Sequence, residues 1–141
     1  KAESIAPHHP GCLILGSDQV ADLDGEILGK PGTAERACAQ LGRMQGRAHR
    51  LVTALCLWDA DTGEHVTEVD IHHLRLRPLA PDQIARYVAR DQPLDCAGSY
   101  KIEGPGIALF EAVEGRDFTA IIGLPLIRVV SLLKRFGVTL P

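Results

Sequence analysis

Asp18 is the first residue whose type and position could do chemistry. It follows the apolar run Cys12-Leu13-Ile14-Leu15 by three positions, so a buried strand anchors it while its carboxylate faces a cleft. Such a carboxylate could bind a divalent ion, or orient and deprotonate a water. Equally, it could cap backbone groups where the strand ends. Lys30 stands between Gly29 and Pro31, a fixed backbone with little neighbouring bulk, and could present a point charge to a phosphate. A plainly solvated lysine is the other reading. In Tyr100-Lys101-Ile102-Glu103-Gly104 the residues Lys101 and Glu103 would share one side of an extended chain. Glu103 could accept hydrogen bonds from a guanine edge or, like Asp18, help hold a metal and its water; a solvated Lys and Glu pair is the alternative. The neighbouring Gly98, Gly104 and Gly106 permit close approach of a ligand at a cost in folding entropy. Arg47 and Arg50 are candidate phosphate contacts, and His49 a candidate ligand contact or a half-buried core histidine.

Other chemistries are disfavoured. The sequence has no Gly-x-x-x-x-Gly-Lys-Ser/Thr loop and no Gly-x-Ser-x-Gly elbow, and Cys96 lacks an evident histidine partner. Direct attack of an activated water on phosphorus fits better than a covalent nucleophile. Cys12, Cys38, Cys56 and Cys96 are widely spaced and never form Cys-x-x-Cys, which argues for reduced thiols over a disulfide or zinc framework. His72 and His73 point to opposite faces of a strand and cannot easily share one metal. The formal net charge of −3 offers no general attraction to a nucleic acid polymer. With no apolar run long enough to span a bilayer and no signal segment, no membrane association is expected, and a cytoplasmic protein is.

The elements that must position these residues follow from periodicity. A strand at residues 12–15 runs into the Gly16–Val20 segment, and Asp24-Gly25 signals a hairpin. Ala34, Ala37, Cys38, Leu41 and Met44 mark an amphipathic helix with Thr33 as its cap and Gly46 as its stop. Residues 49–58 read as a strand buried on both faces. The strand over residues 66–77 carries Val69 and Ile71 and then Leu74 and Leu76, which predicts a bulge near His72-His73. Pro81 opens a helix that ends near Asp91. Residues 109–113 and 118–122 read as strands, and a last helix after Pro125 is expected to bury Leu126, Val129, Val130 and Leu133. At 141 residues with 45% hydrophobic content, this is one α/β domain, a mixed central sheet flanked by helices. The opening Lys1–Ala6 reads as the end of a helix already in progress, so a fragment is expected.

Taken in order, Gly16-Ser17-Asp18-Gln19-Val20, Leu28-Gly29-Lys30-Pro31, Gln45-Gly46-Arg47-Ala48-His49 with Val52-Thr53, Asp95 to Glu103, and Ile122-Gly123-Leu124-Pro125-Leu126 resemble the Maf-like nucleoside triphosphate pyrophosphatases across essentially the whole chain. The family's N-terminal strand and phosphate-gripping Ser-x-x-Arg-Arg-like segment have no counterpart here, so the domain, residues 1–141, is expected to be N-terminally incomplete. The resemblance implies a Maf/ITPase-like fold and hydrolysis between the α and β phosphates, giving a nucleoside monophosphate and pyrophosphate. It implies Asp18 as the proton acceptor, Lys30 and Lys1 as phosphate-facing lysines, Mg²⁺ or Mn²⁺ as cofactor with Asp18 and Glu103 as its ligands, and a homodimer. Gln19, Arg47, His49, Thr53, Lys101 and Glu103 become the substrate-binding set. Gln19 and Glu103 resemble the branch associated with 7-methyl-GTP, whereas Thr and Gln are more usual in the dTTP and UTP branch. A carboxylate suits that purine, because guanine offers two donors to it and N7 methylation adds positive charge to the ring. Trp58 and Tyr100 are the aromatic side chains that could stack on the base. A dTTP or UTP pyrophosphatase, a non-catalytic nucleotide-binding module and a small interaction domain stand as alternatives.

Overall fold

The computed structural model describes all of residues 1–141. Five strands, β1 (Leu13–Leu23), β2 (Glu26–Leu28), β3 (Ala48–Asp59), β4 (His65–Leu76) and β5 (Phe110–Glu114), form one sheet in the order β2-β1-β3-β4-β5. Five helices accompany it: α1 (Ala2–Ile5), α2 (Ala34–Met44), α3 (Pro81–Asp91), α4 (Phe118–Ile122) and α5 (Leu126–Arg135). β1 pairs with β2, and β4 with β5, antiparallel. The α/β class matches the periodicities. The chain divides into two compact units, one of Lys1–Gln19, Thr53–Asp70 and Asp117–Pro141, the other of Val20–Val52 and Ile71–Arg116.

In the first unit, Leu55 and Leu57 of β3 pack with Val129 and Leu132 of α5, and Leu13, Val66, Leu124, Leu133 and Phe136 close around them. Ala2, Ala6 and Ile14 make a second cluster against Cys56 and Trp58. Two expectations fail here. Residues 118–122 are helix rather than strand, because the Asp117 side chain accepts from Thr119 N and starts a turn that the local β-branched residues do not prevent. In α5, Leu126 and Val130 are 48% and 42% exposed, and the inward stripe is Val129, as expected, with Leu132.

In the second unit, Asp24 and Gly25 have φ of 53° and 90°, which is the left-handed pair that a two-residue hairpin between β1 and β2 requires. α2 packs on α3, and Thr33 caps α2 as predicted, accepting from Arg36 N at 3.3 Å. Pro81 takes the first turn of α3, whose Ile84, Tyr87 and Val88 are buried.

The two long strands differ from expectation in how they face the core. β3 is buried at His49, Leu51, Thr53, Leu55 and Leu57, while its other face is mostly half-exposed. β4 keeps one phase throughout: Asp70, His72, Leu74 and Leu76 point inward and Val69 and Ile71 outward, so the bulge expected at His72-His73 is absent. The irregularity lies at Arg75/Leu76 instead. Two polar residues of β4, Asp70 and His72, are buried. Asp70 receives the Arg128 guanidinium at 2.5 Å, and a methyl group at Gly115 would come within 1.9 Å of His72.

Candidate functional site

In the first unit, β1 does not end at Gly16 but continues to Leu23, so Asp18 stands in mid-strand rather than at a strand end. Its carboxylate lies 3.0 Å from the Lys1 ammonium, and both side chains are about two-thirds exposed, at 69% and 68%. An exposed pair of this kind adds little stability and can rearrange around an incoming anion. The pair opens on a cavity of about 380 Å³ that Ser17, Trp58, His65 and Thr67 also line. Trp58 stacks on His65 with ring centroids 4.4 Å apart. Ser17 is fixed by donating to the carbonyls of Ala54 and Gly123, at 3.1 and 2.8 Å.

Gln19 and Thr53 are joined within that unit. The Gln19 amide donates to Thr53 Oγ1 at 2.9 Å and to the Ala120 carbonyl at 2.7 Å, while the Thr53 hydroxyl donates to the same carbonyl at 3.1 Å. Together they tie β1 and β3 to α4. The amide nitrogen is thus committed to a hydroxyl and to carbonyls of the protein, and the oxygen is the end of Gln19 that remains for a ligand.

In the second unit, Lys30 is exposed and lines a pocket of about 220 Å³ with Arg36, Gln40 and Arg43. Arg43 is paired with Glu26. Arg47 pairs with Asp24 and also donates to the Arg43 carbonyl at 3.1 Å. Arg50 pairs with buried Asp22, and its hydrogen bonds, with that from Gly25 N, hold the Asp22 carboxyl below the usual carboxylate range. Glu103 is exposed in a turn, so the same-side relation with Lys101 that an extended chain would give does not arise. Lys101 instead sends its ammonium to the carbonyls of Asp91 and Gln92 at the end of α3, at 3.2 and 3.4 Å, where a cation complements the helix dipole.

His49 is 3% exposed and bonds Tyr100 Oη through Nε2 at 2.9 Å. Burial pushes its pKa down to about 4 and pushes the Tyr100 hydroxyl well above the ordinary tyrosine range. Tyr100, 5% exposed with its edge against Phe110, has no face to offer a base; Trp58 does line a cavity. Cys96 is raised to about 11, by burial first and then by the Asp95 carboxylate, so it remains a thiol.

Three features escaped sequence reasoning. Asp95 is held acidic by Cys96 and its own backbone and by the charges of Lys101 and Lys30. Gln40 bonds two loops, and His65 carries the Trp58 stack. Only the nearness of Asp95 to the Cys-Ala-Gly-Ser run could have signalled any of them. No group of three or more His, Cys, Asp or Glu gathers into a metal-binding cluster. No helix is long and apolar enough to cross a membrane.

The model of the Maf-like protein family matches residues 1–136. The chain belongs to that family. Among relatives, a protein of Xanthomonas campestris pv. campestris strain 8004 named 7-methyl-GTP pyrophosphatase is 50% identical over 141 residues, all of this chain and 73% of the relative. A Pseudomonas putida protein of the same name is 49% identical over 141 residues, again 73% of its length. One from Alcanivorax borkumensis, also so named, is 48% identical over all of this chain and 72% of its own. Within this Maf-like chain, Asp18 with Lys1 and Lys30 with its glycine–proline loop are among the residues that the family resemblance points to and that the fold leaves open to solvent.

Proposed function

We propose that this Maf-like chain hydrolyses 7-methyl-GTP to the nucleoside monophosphate and pyrophosphate. The observation that carries the catalytic part is an exposed carboxylate, Asp18, fixed on a mid-sheet strand beside an ammonium 3.0 Å away in a nucleotide-compatible cavity. Asp18 takes a proton from water as its oxygen attacks the α phosphorus; the α–β anhydride bond breaks and pyrophosphate leaves with the bonding pair. Lys1 and Lys30 neutralise phosphate charge, and that stabilisation matters most as charge builds on the leaving group. Glu103 reads the guanine edge, and its negative charge favours the cationic 7-methyl ring over unmodified guanine.

A Mg²⁺ or Mn²⁺ ion suits the residues only as a partner of the substrate. With no cluster of three ligands in the protein, an exposed carboxylate such as that of Asp18 would hold an ion only together with oxygens of the substrate and water. That ion supplies neutralisation of the polyphosphate. We place the protein in the cytoplasm and as a homodimer. Support for the dimer comes from Phe118 and Ile122 on α4 and Leu126, Ile127 and Val130 on α5, all 42% exposed or more.

The test is pyrophosphate release from 7-methyl-GTP, GTP, dTTP and UTP in Mg²⁺, with and without Asp18→Asn. Selective release from 7-methyl-GTP that falls at least about a hundredfold in the variant is expected. Preference for dTTP or UTP would move the chain to the pyrimidine branch. No release from any of the four would leave nucleotide binding without hydrolysis.

A further inference from the structure

Gln40 lies on α2 and belongs to none of the segments on which the family resemblance rests. Its amide Nε2 donates to the Gly29 carbonyl at 3.1 Å, and its Oε1 accepts from the Ser99 hydroxyl at 2.5 Å. One planar group therefore bonds both the Gly29-Lys30-Pro31 loop and the Cys96–Glu103 segment. A single backbone bond, Gly32 N to the Leu94 carbonyl at 2.9 Å, reinforces the same junction.

The Ser99 end of this bridge is costly to build. Ser99 is fully buried and holds φ at 63°, a left-handed conformation that a non-glycine residue adopts only when its surroundings demand it. The next residue, Tyr100, is locked by His49, and Lys101 N donates to the Tyr87 hydroxyl at 3.0 Å. From Ser99 to Lys101 the segment is thus fixed at three successive points, and Glu103 follows two residues later. On the other side, the Gly29 carbonyl is one residue from Lys30, and Pro31 is buried.

We propose that Gln40 is a positioning residue that couples the phosphate-binding lysine loop to the base-reading segment, so that Lys30 and Glu103 are presented as one rigid template. This rests on the functional reading given above. A template of fixed length discriminates between nucleotides, because a triphosphate gripped at one end brings its base to the other in one register only. A loosened template still binds phosphate but no longer fixes the base against Glu103. The consequence is loss of selectivity rather than uniform loss of rate, since the two substrates share the triphosphate and differ only at the ring.

Gln40→Leu keeps the volume and removes both bonds, whereas Gln40→Glu keeps the acceptor for Ser99 and removes the donor to Gly29. The measurement is kcat and KM for 7-methyl-GTP and for GTP, with the melting temperature of each variant. Expected for Gln40→Leu is a rise of about tenfold in KM for 7-methyl-GTP and a fall of similar size in the 7-methyl-GTP to GTP ratio of kcat/KM, with Gln40→Glu between it and the parent. In a Ser99→Gly background, which removes the hydroxyl while easing the positive φ, Gln40→Leu must cost less than it does alone. An unchanged ratio, or an equal loss for both substrates, would overturn the proposal. Should the parent protein turn over neither substrate, the functional reading fails by itself. Amide hydrogen exchange then decides the coupling: Gln40→Leu must accelerate exchange at residues 29–32 and 99–103 together, and acceleration in one segment alone overturns it.

Discussion

At the scale of a single residue, His49 shows how a side chain chosen for chemistry can be taken for structure. Its Nε2 is bonded to Tyr100, and its Nδ1 is buried with no hydrogen-bond partner, so a second ring proton would have nowhere to go. The neutral imidazole is therefore favoured, with the pKa moved from 6.5 to about 4. In the unfolded chain the same ring titrates near its ordinary value. Between those two values the unfolded state binds the extra proton and the folded state does not, so stability is complete above about pH 6.5 and is lost as the pH falls toward 4. The interval corresponds to roughly 3 kcal/mol. In urea unfolding from pH 7 to pH 4, His49→Gln should show a distinctly shallower loss of stability than the parent. Parallel curves would mean that His49 is as well solvated as an exposed histidine. The exposure of Asp18 and Lys30, by contrast, was legible from sequence, because each sits beside a glycine-bearing strand or loop that leaves it open. Gln40 was not, because what distinguishes it is a pair of partners distant in sequence, Gly29 and Ser99.

At the scale of elements, α4 and the start of α5 depend on one buried carboxylate. Asp117 accepts from Thr119 N at 3.0 Å and from Ile127 N at 2.8 Å, capping two helices, while the Thr119 hydroxyl accepts from Leu126 N at 2.9 Å. The Ala120 carbonyl of α4 in turn receives Gln19 and Thr53. Asp117→Ala should therefore destabilise the protein by about 2–3 kcal/mol, read as a lower urea midpoint, and should loosen Gln19. Asp117→Asn, which keeps an oxygen for one of the caps, should cost less. If alanine costs no more than asparagine, the cap that asparagine keeps contributes nothing. This is also where sequence reading failed: Phe-Thr-Ala-Ile-Ile carries strand propensity over five residues, too short a span for periodicity to separate strand from helix. The failure in β4 has the same origin. Val69 and Ile71 were taken for the inward face, yet Asp70 is inward because Arg128 supplies its charge partner, a contact across 58 residues. Helices α2 and α3 were read correctly because eleven residues suffice to display a period, a cap and a stop.

At the scale of the whole molecule, the surface of α5 poses the remaining question. Ile127 is 61% exposed, Leu126 48% and Val130 42%, and their spacing puts all three on one side of the helix, away from the Val129 and Leu132 that reach the core. Each costs little as a lone exposed apolar side chain, but a row of them on one helix face, with Phe118 and Ile122 likewise exposed on α4, is a patch that a second copy would bury favourably. If two copies meet there, a lysine in the row must be buried without a partner on both sides of a symmetric contact, and the penalty is counted twice. Ile127→Lys should then convert a dimer to a monomer in sedimentation at micromolar concentration. Its effect on the stability of the separated chain should be small, because residue 127 already faces solvent there. A parent protein that sediments as a monomer would remove the dimer from the proposal. A dimer that survives Ile127→Lys would place its interface elsewhere and leave the α5 row to another partner.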